Sequence, residues 1–136
     1  GRPRVFERWQ PSARPTYVFL NLCPTTHTIG ARCLSEHASL VAADVRAAEG
    51  VVDIEHDVFA RCDALRDLDL RGLRRVEHIG AGFAQQCPQL ELLDTRPLRR
   101  LRSIEHSFLR LCTSLRAFDT SGLRNVRRIA DSFLRG

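Results

Sequence analysis

The chain has 136 residues, of which 43% are hydrophobic, so it is long enough to form a domain with its own apolar core. It has no run of about 18 to 20 consecutive apolar residues, which excludes an ordinary membrane-spanning helix and favours a soluble domain. Its net charge is +5 and all 21 basic residues are arginine, a balance that allows nucleic acid, anionic lipid or an acidic protein as partner.

Residues 1–28 are predicted to be an N-terminal entry and capping segment. The opening stretch GRPRVFERWQPSARP has proline and charge where a secretory signal would be apolar, so no signal peptide is visible. The absence of methionine suggests a removed start or a longer parent protein. Alternation over residues 17–22 predicts an edge strand in a degenerate first coil, and we expect Phe6 and Trp9 to shield the open end of the core.

Residues 29–136 contain an internal repeat with a period of about 25 residues, in which GLRRVEHIGAGF is followed by PLRRLRSIEHSF and GLRNVRRIADSF. The apolar positions form columns, of which two regular ones are Ile29, Ile54, Ile79, Ile104 and Ile129, and Leu40, Leu65, Leu90 and Leu115. One unit has only about eight apolar positions, too few to offset a backbone entropy of about 1–2 kcal/mol per residue. Neighbouring units must therefore share a core, which predicts a solenoid of about four to five coils.

Each coil is predicted to begin with a short strand. Within residues 65–70, LRDLDL, alternation places Leu68 and Leu70 inward and the charged residues outward. Equivalent strands are expected near residues 42–46, 92–96 and 117–121. Stacked in register they would form a parallel sheet. A return limb follows, and then a turn whose first residue, Asp57, Ser107 or Ser132, is expected to cap the amides after it.

The whole pattern resembles a known family. From Cys62 to Cys87 the sequence reads Cys-x-x-Leu-x-x-Leu-x-Leu, then Leu-x-x-Val-x-x-Ile-Gly-x-x-Phe and the next cysteine, which is similar to the BspA-like subclass of leucine-rich repeats. The unit is longer than is usual there, and Leu73 stands where the family usually has asparagine. The resemblance implies an α/β repeat solenoid with a short parallel sheet on one face and little helix, and a non-catalytic role in protein interaction or adhesion.

The cysteines that recur with the repeat are Cys62, Cys87 and Cys112. Equivalent side chains in neighbouring coils run parallel about 4.8 Å apart, so we interpret these residues as buried free thiols and not as disulfide partners. A zinc-like spacing occurs once, at Cys23, His27, Cys33 and His37. Three of those four fall in core columns of a degenerate coil, so we expect no metal and no cofactor.

We do not expect the chain to be an enzyme. The pairs Glu55–His56 and Glu105–His106 share a column, but Glu77–His78 lies in another, so no common acid/base site arises. The sequence has no nucleophile motif, phosphate-binding loop or convergent carboxylate cluster. An odd cysteine count favours a reduced intracellular compartment, whereas the family resemblance allows the cell surface, so the localisation stays open.

Two sets of charged residues are candidate binding surfaces. The set on the concave sheet face is Asp44, Arg46, Asp67, Asp69, Arg71, Asp94, Arg96 and Asp119. Stacked aspartates repel one another, which favours a binding face, although pairing with the arginines would also make a self-neutralising lattice. The second set is a stripe on the return limb: Arg74, Arg75, Arg99, Arg100, Arg102, Arg124 and Arg127. The stripe is either a solvated face or an anion-binding site without an aromatic stacking platform.

We therefore expect a non-catalytic module that binds a protein partner through the sheet face. The alternative is binding of nucleic acid or an anionic lipid surface through the arginine stripe, and a third hypothesis is a structural spacer. The chain stops one residue before the next expected cysteine, so we expect either further repeats in a longer parent protein or end-to-end self-association through the last coil.

Overall fold

The fold is a β-solenoid of about four turns, seen in a computed structural model that describes residues 16–20, 22 and 25–130. Each turn advances the chain by one repeat unit and has three limbs, of which two are strands in parallel sheets. The only helix among the described residues is a 3₁₀ helix, Thr120–Leu123. Phe6, Trp9 and Cys23 lie outside the described residues.

The first sheet contains the predicted strands. They are β1 (Thr16–Phe19), β3 (Leu40–Asp44), β5 (Asp67–Asp69), β7 (Leu92–Asp94) and β9 (Ala117–Asp119). All pairs are parallel, with β1, β3 and β5 in one hydrogen-bonded group and β7 and β9 in another. Strand β1 extends the sheet into the entry segment, so the solenoid geometry begins before residue 29.

The hydrogen-bonded ladder is interrupted between β5 and β7, although the two strands remain in contact. Glu91 spans this interruption by pairing with arginines of the coils on either side. Its carboxylate lies 3.5 Å from Nη2 of Arg66 and 2.9 Å from Nη2 of Arg116. Because all three side chains are partly exposed, we expect the triad to align the coils more than to stabilise them.

The return limb forms a second parallel sheet that the sequence pattern did not predict. Its strands are β2 (Thr28–Ile29), β4 (Asp53–Ile54), β6 (His78–Ile79), β8 (Ser103–Ile104) and β10 (Arg128–Ile129). The isoleucine column is fully in register, because each isoleucine pairs with the isoleucine of the next coil. From Ile29 to Ile104 these side chains are at most 5% exposed, as the repeat predicted.

The third limb of each coil has an unusual backbone. It comprises residues 31–36, 56–61, 81–86 and 106–111. Every second residue there has φ between 51° and 77°, including non-glycine residues such as Leu34, Phe59 and Ala84. That conformation costs about 1–2 kcal/mol for an L-residue. Hydrogen bonds between coils offset the cost, for example from the Phe59 amide to the Cys33 carbonyl at 3.0 Å.

This backbone makes the capping prediction for Asp57 and Ser107 wrong, and Ser132 lies outside the described residues. Both residues have positive φ, 59° and 64°, so neither occupies the extended conformation of a helix cap. The Asp57 carboxylate instead accepts a hydrogen bond of 3.0 Å from Nε2 of Gln85 in the next coil and lies 3.2 Å from Nδ1 of His56. The side chain therefore joins coils and does not begin a helix.

One continuous apolar core runs through the coils. Its centre is Phe83, which packs edge-on against Phe59 at 6.0 Å and stacks on Phe108 at 5.7 Å between ring centroids. The repeat column has Val58 where a phenylalanine would be expected. Phe59 supplies the missing ring, since consecutive residues of the third limb, Val58 to Ala60, are all buried.

The recurring cysteines are buried thiols, and each also serves as a hydrogen-bond donor. Sγ of Cys62 donates to the Leu34 carbonyl at 3.0 Å, and Sγ of Cys87 donates to the Phe59 carbonyl at 3.1 Å. Cys112 repeats the contact with Ala84 at 3.1 Å. The neighbouring thiols of Cys112 and Cys62, together with burial, raise the pKa of the Cys87 thiol far above its ordinary value. The column thus satisfies backbone carbonyls of the third limb.

Thiol labelling tests this placement. In a Cys23→Ser background, we expect an aromatic disulfide reagent to modify half-buried Cys33 well before Cys62, Cys87 and Cys112, because only a solvent-exposed thiolate reacts quickly. All four thiols should react after denaturation. Rapid native labelling of the three column cysteines, or a mass that shows a bridge between any two, would contradict the buried ladder.

Candidate binding surfaces

The exposed side of the first sheet, here called the sheet face, carries aspartate–arginine pairs at the ends of its strands. In each of three coils the guanidinium lies 2.7 Å from the carboxylate two residues earlier, in Arg46–Asp44, Arg71–Asp69 and Arg96–Asp94. The pairs therefore form along each strand. Asp119 lies in register with Asp94 in the last of these strands.

Each aspartate also terminates its strand. Oδ1 of Asp44 accepts the amide of Arg46 at 2.9 Å, and the same bond recurs at 3.0 Å from Arg71 to Asp69 and at 3.0 Å from Arg96 to Asp94. An aspartate that accepts the amide two residues on mimics a backbone turn. This bond explains why β3 ends at residue 44, two residues before its predicted end. The aspartate column thus has a structural role.

The electrostatics of these pairs are local. A hydrogen bond from Arg71 holds the pKa of the Asp69 carboxyl below its ordinary value, and Arg96 does the same for Asp94. A carboxyl with a lowered pKa in the folded state contributes stability above its unfolded pKa. That contribution is lost as the pH falls through the folded value. Exposure keeps it small.

Asp67 differs from Asp44, Asp69 and Asp94. It is exposed and forms no ion pair with any residue that the structure describes. In the sheet it is in register with Ala42, which is itself in register with Tyr17. The row therefore runs from an aromatic ring, across a small residue, to an unpaired carboxylate.

The sheet face also carries large apolar side chains that we did not include in the predicted binding set. Tyr17 is 69% exposed, Phe19 is 53% exposed and Leu92 is 54% exposed. The two aromatic residues border a shallow depression of about 350 Å³, which is lined by Tyr17, Val18, Phe19, Ala42, Ala43, Asp44, Asp67 and Asp69. Alternation in residues 17–22 was the available signal, because it marked which side chains of the edge strand face outward.

The predicted stripe, here called the arginine corner, lies where the chain turns from the first sheet into the second. Its members are Arg74, Arg75, Arg99, Arg100, Arg102, Arg124 and Arg127, and all are exposed. Arg102 approaches Glu77 at 4.0 Å. Within the described part of the chain, the other six form no ion pair. The corner and the sheet face are thus different surfaces with different electrostatics.

The zinc-like residues do not form a described metal site. Among residues 16–20, 22 and 25–130, no group of three or more His, Cys, Asp and Glu side chains is placed to hold an ion. Cys23 lies outside these residues. Burial raises the pKa of the Cys33 thiol and lowers that of the His37 imidazole, as expected for residues that pack against a core.

The last described coil is less covered than those before it. Ile129 is 52% exposed, and Phe118, Leu123 and Val126 are only partly buried, whereas Ile104 is fully buried. End-to-end self-association stays a prediction. No described helix is long and apolar enough to cross a membrane.

Comparison with known proteins adds no assignment. The chain matches no protein-family model, no curated protein and no solved structure.

Two substitutions at Asp94 separate its structural role from its charge. Asp94→Asn keeps an oxygen acceptor for the Arg96 amide but loses the exposed ion pair, so we expect a loss of at most about 0.5 kcal/mol in the free energy of unfolding. Asp94→Ala also leaves the amide without that acceptor, and we expect a loss of about 1 kcal/mol. Urea melts measure both. Equal losses in the two variants would refute the strand-terminating role.

Proposed function

We propose that this chain is a non-catalytic protein-recognition module of the BspA-like leucine-rich-repeat type, and that it binds its partner through the sheet face. The proposed family rests on the Cys-to-Cys repeat pattern. It is supported by a parallel solenoid whose coils have the predicted length. A rigid sheet of this kind holds surface side chains in fixed rows, which suits recognition of a protein surface.

The observation that carries the proposal is the depression beside Tyr17 and Phe19. Exposed aromatic side chains that border a concave surface are typical of protein interfaces and supply most of the binding energy there. Ala42 supports the same function, because its small side chain leaves room between the aromatic residues and Asp67. The Asp–Arg pairs form a polar rim that already satisfies its own charges.

The chemistry of the depression defines the partner. An apolar side chain would fill the space between Tyr17 and Phe19, and a cation next to it would reach Asp67. The partner is thus a protein segment that presents an apolar residue beside a lysine or arginine. The ion pair between the partner's cation and the Asp67 carboxylate adds specificity, whereas contact with the aromatic rings supplies affinity.

Peptide display tests the proposal with the isolated chain. From a random library, we expect the selected peptides to pair an apolar residue with an adjacent lysine or arginine. Tyr17→Ser and Asp67→Asn should each weaken a selected peptide about tenfold, which corresponds to about 1.4 kcal/mol. Affinities can be measured by fluorescence anisotropy.

The matched control is Asp63→Asn, which removes an exposed carboxylate away from the sheet face. It should leave the affinity unchanged. Selected peptides without a basic residue, or an equal loss from Asp63→Asn and Asp67→Asn, would contradict the proposed site.

A further inference from the structure

The arginine corner is a surface that the proposed protein interaction does not use. We propose that it is a second binding site, which holds the phosphodiester backbone of a single nucleic acid strand without reading its sequence. This inference is independent of the sheet-face proposal, because the arginine corner shares no residue with the aromatic depression.

The first argument is that most charges of the corner are unpaired among the described residues. On the sheet face, by contrast, exposed arginines pair with carboxylates, as Arg71 does with Asp69 and Arg96 with Asp94. In the corner, Arg74, Arg99 and Arg124 form a column of like charges one coil apart and have no carboxylate partner among the described residues. Like charges at equivalent positions of neighbouring strands or coils repel one another. A bound polyanion would turn this repulsion into attraction.

The second argument is that the charge is graded along the solenoid. The residue that corresponds to Arg74 in the preceding coil is Glu49. This column is therefore acidic at one end and basic in the coils that follow. A neighbouring row is neutral at Val52, acidic at Glu77 and basic in the two later coils, at Arg102 and Arg127. In the second sheet, Asp53, His78, Ser103 and Arg128 lie in register and follow the same trend. A surface that only maintained solubility would have no reason to concentrate its cations in the later coils.

The third argument is the shape of the surface. Two open grooves meet at Arg99. One, of about 320 Å³, is lined by Glu77, Arg99, Arg100, Arg102, Asn125 and Arg127. The other, of about 570 Å³, extends onto the sheet face and is lined by Arg71, Arg74, Asp94, Arg96, Pro97, Arg99, Ser121, Gly122 and Arg124, so its one described carboxylate is that of Asp94, which is already paired with Arg96. Open, shallow grooves that continue across coils suit an extended polymer better than a compact anion, which needs an enclosing pocket.

The lining defines the ligand further. Guanidinium groups bind phosphate oxygens through two parallel hydrogen bonds. Among the described residues, neither groove is lined by an aromatic ring on which a base could stack, so contacts to the backbone would dominate. The described lining also has no large apolar side chain that would insert into a bilayer, which argues for a nucleic acid over an anionic membrane.

A salt titration with oligouridine tests the site. If about four phosphates are contacted, a probe of about 20 nucleotides should bind with a slope of log affinity against log salt near −3, or roughly 50-fold weaker binding at 200 mM than at 50 mM. We expect Arg99→Glu/Arg100→Glu to reduce the affinity for oligouridine at least tenfold. The slope of log affinity against log salt should fall to roughly half. Arg99→Gln/Arg100→Gln should fall between that variant and the original chain.

The matched control is Arg32→Glu/Arg110→Glu, which makes the same change in net charge away from the corner. It should alter affinity less than about twofold, and thermal melts should show all variants folded. An equal loss from the control would overturn the proposal, since binding would then follow total charge. The proposal would also be overturned if oligouridine did not bind. The same holds if Arg99→Glu/Arg100→Glu weakened binding to phosphatidylserine vesicles but not to oligouridine.

Discussion

The constant length of the coil is the constraint on which the rest of the structure depends. Because every turn uses the same number of residues, the amide of one coil meets the carbonyl of the coil before it. The amides of Glu55, Gly80 and Glu105 donate to the carbonyls of Ile29, Ile54 and Ile79 at 2.9, 2.7 and 3.1 Å. The same spacing stacks isoleucine on isoleucine. An extra residue in one coil would break both the hydrogen bonds and the core register at that level.

The same constraint also repeats every exposed position, so a row that keeps one charged residue in successive coils must tolerate a like charge on the strand or turn about 4.8 Å away. The sheet face solves this problem within each strand, where Arg71 neutralises Asp69 and the aspartate also ends the strand. In the arginine corner, only Arg102 approaches a described carboxylate, that of Glu77, and the other six arginines have no such partner among the described residues. That contrast underlies the two proposals: self-neutralised charges frame an apolar depression on one surface, and unpaired cations are free to bind a polyanion on the other.

Much of the fold could be predicted from the sequence, because apolar columns report directly which side chains are buried. Leu68, Phe83 and Cys87 face inward as the repeat indicated. Burial does not report how the backbone is hydrogen-bonded, so neither the second sheet nor the positive φ values of the third limb were predictable. The site was predicted only in part. Asp67 was in the predicted set, but Tyr17 and Phe19 were not, since they lie in a degenerate coil where no column marks them.

Native-state hydrogen exchange tests the central claim most directly, since that claim is the hydrogen bonding of each coil to the next at a constant spacing. We predict strong and similar protection of the Glu55, Gly80 and Glu105 amides, which occupy the same position in successive coils. The amides of Arg75 and Arg100, in exposed turns, should exchange far faster. The solenoid would be contradicted by rapid exchange of the Gly80 amide. It would also be contradicted if the protected amides formed one continuous segment and did not recur with the repeat.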